Sequence, residues 1–291
     1  MIYDLNGSAK EAAFSLKGES LPSCYKLTGE QVELEGGGVN YDSYTVTESL
    51  DMNVWQGVAY YGGLLFIFNG GDACTIVDYQ TGETLQTLTN ITQGHGNSAN
   101  FSTEFFDPSD EFPLLYVSKD QGSPCDVFVY RVQRANNAFT LTLVRTLRFS
   151  LSEVFYYANG CVDENNVLYM YAYSENDYST NANNNHMVIT TWDLNTLTEN
   201  GDGTYKPAYI GRVDAFNFVS AHCNQSFHDG YIVTGSGYTY NAYLIDPQSG
   251  AIMYIFPTRA GSELEGAVFI SDNEMLVGYR NYRPMWLYTF D

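Results

Sequence analysis

Basic residues are scarce in this 291-residue chain. Thirteen Lys and Arg stand against 34 Asp and Glu, a formal net charge of −21. So few cations cannot assemble the clustered patch that nucleic acid or an anionic lipid surface requires, which excludes both as nonspecific partners. Long apolar runs are also missing. The longest are of the size of Leu64–Phe68, far short of the ~20 residues of a spanning helix, so no helical membrane insertion is expected. Cysteines are few and odd in number: Cys24, Cys74, Cys125, Cys161 and Cys223, with no CxxC pair. Such isolated cysteines read as small buried apolar residues rather than as a disulfide framework. The opening MIYDLNGSAK lacks a basic start followed by an apolar stretch, so no signal peptide is expected. A cell-surface, extracellular or virion setting is favoured over any other location. There is no P-loop, no GxGxxG between strand and helix, and no Gly-x-Ser-x-Gly elbow, the local signatures of nucleotide binding and of one large hydrolase class.

Helical periodicity is nearly absent, and its best example, residues 9–16, is short. What is present is aromatic and β-branched. Tyr, Phe and Trp make up 15% of the chain and apolar residues 44%, enough to build a core. They fall into runs of about five residues separated by Gly, Asn, Asp and Ser, a strand-and-turn grammar. Five nearly continuous apolar runs, at 64–68, 114–118, 167–171, 231–234 and 275–279, predict central strands covered on both faces.

Upstream of each run lies a related tetrapeptide: Val54-Trp55-Gln56-Gly57, His95-Gly96-Asn97-Ser98, Tyr157-Ala158-Asn159-Gly160, His222-Cys223-Asn224-Gln225 and Glu263-Leu264-Glu265-Gly266. The copies are spaced by 41, 62, 65 and 41 residues. A third strand follows in each unit, at 75–78, 126–131, 187–193, 242–246 and 285–290, and a fourth in four of them, at 84–88, 141–147, 209–213 and 252–256. Three of the intervening turns begin with Asp78, Asp193 or Asp246 and continue through Thr81-Gly82, Thr196 or Ser249-Gly250. Asp bonds to nearby backbone amides in tight turns, and Gly accepts positive φ.

Four antiparallel strands at this period are the pattern of a β-propeller blade. The last unit ends at its third strand, and the alternating Tyr44-Thr45-Val46-Thr47-Glu48 supplies the missing one. The expected fold is therefore all-β, a five-bladed β-propeller over residues 42–291 closed by an N-terminal strand, with residues 1–41 as an extension. A six-bladed ring and a β-sandwich or barrel are the structural alternatives. The segment 31–34 before Gly36-Gly37-Gly38 has the composition of a short hairpin.

The repeated tetrapeptide belongs on the innermost strand of each blade. It places Gln56, Asn97, Asn159, Asn224 and Glu265 in a ring around the channel, with small neighbours that permit close backbone approach. Such groups bond to one another and to backbone; alternatively, oxygens of Glu265, Asn97 and Asn159 converge on calcium. Residues two positions earlier share that face. His95, Tyr157, His222 and Glu263 then frame a pocket at one channel mouth, the predicted ligand-binding site. His95, His222 and Glu263 are also candidate transition-metal ligands. No catalytic residues are assigned: Glu263 and Glu265 lie on one strand and cannot flank a glycosidic bond, and nothing marks Asp107, Asp110 or Asp163.

Gln56-Gly57, the stretch from Gly94 through His95-Gly96-Asn97 to Phe101 with Leu115-Tyr116-Val117-Ser118, and Glu265-Gly266 resemble small β-propeller proteins of bacteria and their phages, including helveticin-like bacteriocins and phage tail or receptor-binding proteins. That resemblance implies binding at a surface. The expected function is non-catalytic recognition of a glycan or cell-surface polymer at the channel mouth. Tyr faces stack on sugars while Asn and Asp bond to hydroxyls, and residues 171–185 and 238–243 are rich in both. A propeller hydrolase acting on a glycan or lactone, and a structural phage or assembly protein with a protein partner, are the alternatives.

Overall fold

The computed structural model describes residues 23–25, 31–33, 39–91, 94–119, 125–154, 156–173, 187–215, 222–236, 241–257 and 263–291. The helical candidate at 9–16 and most of 171–185 and 238–243 lie outside them. The chain divides into two compact units, Met1–Thr45 with Thr289–Asp291, and Val46–Tyr288.

Strands β1 (Ser23–Tyr25) and β2 (Gln31–Glu33) pair antiparallel. After β3 (Tyr44–Glu48) comes a four-stranded antiparallel sheet of β4 (Val58–Tyr61), β5 (Leu64–Phe68), β6 (Cys74–Asp78) and β7 (Thr84–Leu88), in that order. The next eight strands are β8 (Ser98–Phe101), β9 (Leu115–Ser118), β10 (Cys125–Ala135), β11 (Ala138–Phe149), β12 (Tyr156–Val162), β13 (Val167–Tyr173), β14 (Met187–Glu199) and β15 (Tyr205–Ala215). They form one sheet, ordered β12-β13-β14-β15-β11-β10-β9-β8. It consists of two four-stranded meanders that meet edge to edge, through a single parallel pair of Leu147 with Tyr205. A short helix, α1 (Leu151–Val154), connects the two meanders. Two further sheets follow: β16 (His222–His228), β17 (Tyr231–Ser236), β18 (Asn241–Ile245) and β19 (Ile252–Pro257), then β20 (Leu264–Ser271), β21 (Glu274–Tyr279) and β22 (Trp286–Phe290) with β3 at the edge.

The edge position of β3 is fixed at both ends. In the first unit Asn40 N donates to Asp291 O at 2.8 Å, Asp291 N to Ser43 O at 3.1 Å, and Tyr41 packs edge-on against Phe290. In the second, Ser49 N donates to Met285 O at 2.9 Å and Met285 N to Leu50 O at 2.8 Å.

Apolar side chains fill the spaces between consecutive sheets. Phe66 from β5 meets Phe101, Phe112 and Phe139 at 5.1–6.3 Å, in edge-to-face contacts. Tyr171 and Ile189 join Ile232 and Ile245, while Leu65 and Val77 join Val268 and Leu276. Each fully buried ring or aliphatic side chain of this kind contributes about 1.5–3 kcal/mol through removal from water. Tyr171, Tyr173 and Tyr243 belong to this packing. They are core residues and not the glycan-facing ones that the composition of their segments implied. Cys74, Cys125 and Cys161 are buried free thiols, as their spacing predicts.

The Asp turns form as expected. Asp78 Oδ1 accepts from Thr81 N and Asp246 Oδ1 from Gln248 N, both at 2.9 Å, and Gly82 and Gly250 take φ near +70°. Asp193 bonds to Asn195 N and Thr196 Oγ1. These bonds hold the Asp78 and Asp193 carboxyls below the usual aspartate range.

Candidate functional site

The first strands of the meanders converge, so that each contacts the next and the last contacts the first. Gly57 N donates to Gly96 O at 2.9 Å. A Cβ on Gly57 would fall 2.8–2.9 Å from the backbone atoms of Gly96, Ser98 and Ala99, so only glycine permits this approach. Ser98 Oγ lies 2.9 Å from both the Gly160 and Gln225 carbonyls, donates its proton to one of them, and accepts from Gln225 N at 3.1 Å.

Asn224 ties the largest number of these strands together. It is the extra residue of a β-bulge in β16, with φ +32°, a conformation that Asn tolerates better than most residues. Its Oδ1 accepts from Val58 N at 3.1 Å and Ala99 N at 3.2 Å, its Nδ2 donates to Ala267 O at 3.0 Å, and its own backbone N donates to Asn97 O at 2.9 Å. Four strands thus meet on one buried carboxamide. The other predicted ring residues, Gln56, Asn97, Asn159 and Glu265, are all buried. Glu265 is also a bulge residue, at the position in β20 that corresponds to Asn224. Gln56 stands against Gly70, and its Oε1 has no hydrogen-bond partner among the described residues. No cluster of three His, Cys, Asp or Glu side chains suited to a metal ion occurs among the described residues.

Of the residues one step outward, His95 lies within the electrostatic reach of Glu263 and Arg280. His95 sits between Gly94 and Gly96, both with positive φ, and its backbone N donates to Lys119 O. Glu263 precedes β20 and accepts from Arg280, which follows β21: Arg280 N reaches Glu263 O at 3.0 Å and Arg280 Nη1 reaches Glu263 Oε2 at 3.1 Å. Burial, and then the positive charge of Arg280, push the His95 pKa below its ordinary value against the opposing pull of Glu263. Both effects favour the neutral imidazole. Tyr157 instead packs its ring against Tyr173, 6.2 Å away at 84°. The side chain of His222 lies outside the described residues; its backbone pairs with Ser236.

Arg280, the partner of Glu263, and Trp55 beside it escaped the sequence reading. Val54 and Gln56 are buried on either side of Trp55, which is itself 45% exposed. Arg280 Cζ lies 6.0 Å from its ring centroid, within cation–π range. The signal for Arg280 was available: Leu264 pairs with Tyr279 across the β20–β21 hairpin, which sets Glu263 opposite Arg280. The unmarked carboxylates have structural duties. Asp163 accepts from Asn165 N, Val167 N and the Tyr169 hydroxyl, Asp107 caps a turn at Ser109, and Asp110 pairs with Arg131.

No helix among the described residues is long and apolar enough to cross a membrane. No protein-family model matches this chain, and no curated protein matches it by sequence. Solved structures do. Glutaminyl cyclase from Myxococcus xanthus is similar over 85% of this chain and 94% of its own, with 13% identity and a TM-score of 0.53. A protein described as a putative oxidoreductase (glucose dehydrogenase) from Thermus thermophilus is similar over 86% of this chain and 100% of its own, with 9% identity and a TM-score of 0.50. These neighbours are β-propeller proteins, and at such identities the likeness speaks for the fold alone: this chain has an all-β, propeller-type architecture.

Proposed function

We propose that the chain is a five-bladed β-propeller closed by β3, and that the mouth built by Trp55, His95, Glu263 and Arg280 recognises a glycan or cell-surface polymer without catalysis. The blade count follows if the eight-stranded sheet is taken as two blades that touch at their outer strands. The surface setting is that of the helveticin-like and phage propellers which the sequence resembles. One observation carries the binding reading: a Trp55 left 45% exposed between two buried neighbours, beside the Arg280–Glu263 pair. A flat apolar face stacks on the C–H face of a sugar ring, and the flanking groups donate to and accept from its hydroxyls. Glu263 is committed to Arg280, which suits it to orient a hydroxyl rather than to relay a proton.

A glycan array probed with the wild-type chain, Trp55→Ala and Glu263→Gln tests this. The expected result is a defined set of positive glycans whose signal falls about tenfold or more with Trp55→Ala, the scale of a buried aromatic hot spot. Positives that are indifferent to Trp55→Ala would remove the mouth from the reading. Turnover of any positive glycan would move the protein into the enzyme class.

A further inference from the structure

A cavity lies on the outer part of the meander β12–β15 and is lined by none of Trp55, His95, Glu263 and Arg280. It encloses about 400 Å³ and is lined by Glu153, Thr190, Trp192, Lys206, Tyr209 and Arg212, among others. Its construction is legible in the strand register. Thr190 pairs with Arg212 and Trp192 with Tyr209, so β15 carries one residue more than β14 over this interval. Tyr209 and Arg212 are three apart and would face opposite sides of a regular strand. The extra residue, Ile210, brings both onto the face that presents Thr190 and Trp192. Bulges that re-aim side chains in this way concentrate near functional sites.

The floor is apolar and the rim is charged. Tyr209 is 57% exposed and stands edge-to-face on buried Trp192, centroids 5.2 Å apart, which in turn rests on Phe149 at 4.9 Å. The Trp192 indole N–H is satisfied by Thr190 Oγ1 at 3.0 Å, leaving its ring as a plain apolar surface. On one side Lys206 pairs with Glu153, whose carboxylate also accepts from Ser150 N and Oγ. On the other, Arg212 Nε donates to Asp214 Oδ1 at 2.8 Å, and Asp214 is exposed. Arg212 Nη2 donates to the same oxygen; an exposed pair of that kind contributes little, and a ligand carboxylate would compete with Asp214 for this fork of the guanidinium. Two of only 13 basic residues in the chain face this one cavity, each paired with a carboxylate of the chain, Glu153 and Asp214.

We propose that this cavity is a second ligand site, and that it takes a pyranose bearing one carboxylate. The sugar face lies on Tyr209, the carboxylate meets the fork of Arg212 in the bidentate geometry that guanidinium favours, and Lys206 and Glu153 bond to ring hydroxyls. The volume is at the small end of ligand sites and suits one or two sugar rings.

Ligand-observed NMR with D-glucuronate, D-galacturonate, tetragalacturonate and methyl glucoside as probes tests this on the full chain. Saturation transfer to at least one uronate is expected, with binding weaker by about tenfold in Tyr209→Ala and in Arg212→Gln, the loss of one charge-assisted contact. Both residues are surface-exposed, and unchanged circular dichroism confirms that the variants fold. Binding of the monosaccharides assigns the site to a free sugar acid. Binding of tetragalacturonate alone, lost in both variants, assigns it to a polysaccharide chain. Equal binding of methyl glucoside, binding that survives Tyr209→Ala, or silence from all three uronates would overturn the proposal.

Discussion

Replacing Asn224 with alanine removes a carboxamide on which four strands converge. Two buried backbone donors, Val58 N and Ala99 N, lose their acceptor, and Ala267 O loses one donor while keeping Ser226 Oγ at 3.2 Å. A buried polar group left unsatisfied costs about 1–3 kcal/mol. Alanine at a positive φ adds roughly 1 kcal/mol more. The expected loss is therefore about 3–7 kcal/mol, a large share of the roughly 5–15 kcal/mol typical of a folded domain. Denaturant unfolding of Asn224→Ala should show a lowered midpoint with an unchanged slope. Ser98→Ala, which deletes a single hydroxyl from the same network, should lose less, about 1–3 kcal/mol. A loss below about 1 kcal/mol for Asn224→Ala would mean that the donors find other partners and that Asn224 does not hold the strands together.

Two further outcomes follow from the same geometry. Gly57→Ala forces a methyl against three backbone atoms that cannot swing aside, and should cost about 3 kcal/mol or more in the same assay; a neutral result would show that the strands can separate without penalty. Burial lowers the pKa of both His95 and His228, and Arg280 adds to the effect at His95. The unfolded chain therefore binds more protons between the lowered values and the ordinary histidine value near 6.5, and stability rises with pH across that window. The melting temperature should fall as pH drops from about 7 toward 5, and His95→Gln should flatten the slope. A melting temperature that rose on acidification through this range would contradict the burial of these rings.

Much of the architecture was legible because propeller sheets are local. Apart from β3, each strand pairs with a neighbour in sequence, so apolar runs such as Leu64–Phe68 and turns such as that of Asp78 announce themselves within a few residues. The tetrapeptide repeat located the buried inner positions for the same reason. The long hairpins were less visible. Strands β10 and β11 extend to a turn at Asn136-Asn137, where both residues take positive φ, and polar residues along the arms mask the strand signal. The bulges were not readable at all. Periodicity assumes one residue per step, whereas Asn224, Glu265 and Ile210 are insertions into that count. Trp55 escaped because its exposure depends on where Val54 and Gln56 are buried, against residues more than 200 positions away in the case of Val54 with Gly266 and Gly278.

Crystals of the chain grown with a glycan that scores positive on the array would put the mouth to the test. The sugar ring should lie flat on the Trp55 indole, with its hydroxyls within hydrogen-bond reach of Glu263, Arg280 and His95. A well-ordered glycan elsewhere on the molecule, with Trp55 bare, would contradict the binding role assigned to this mouth.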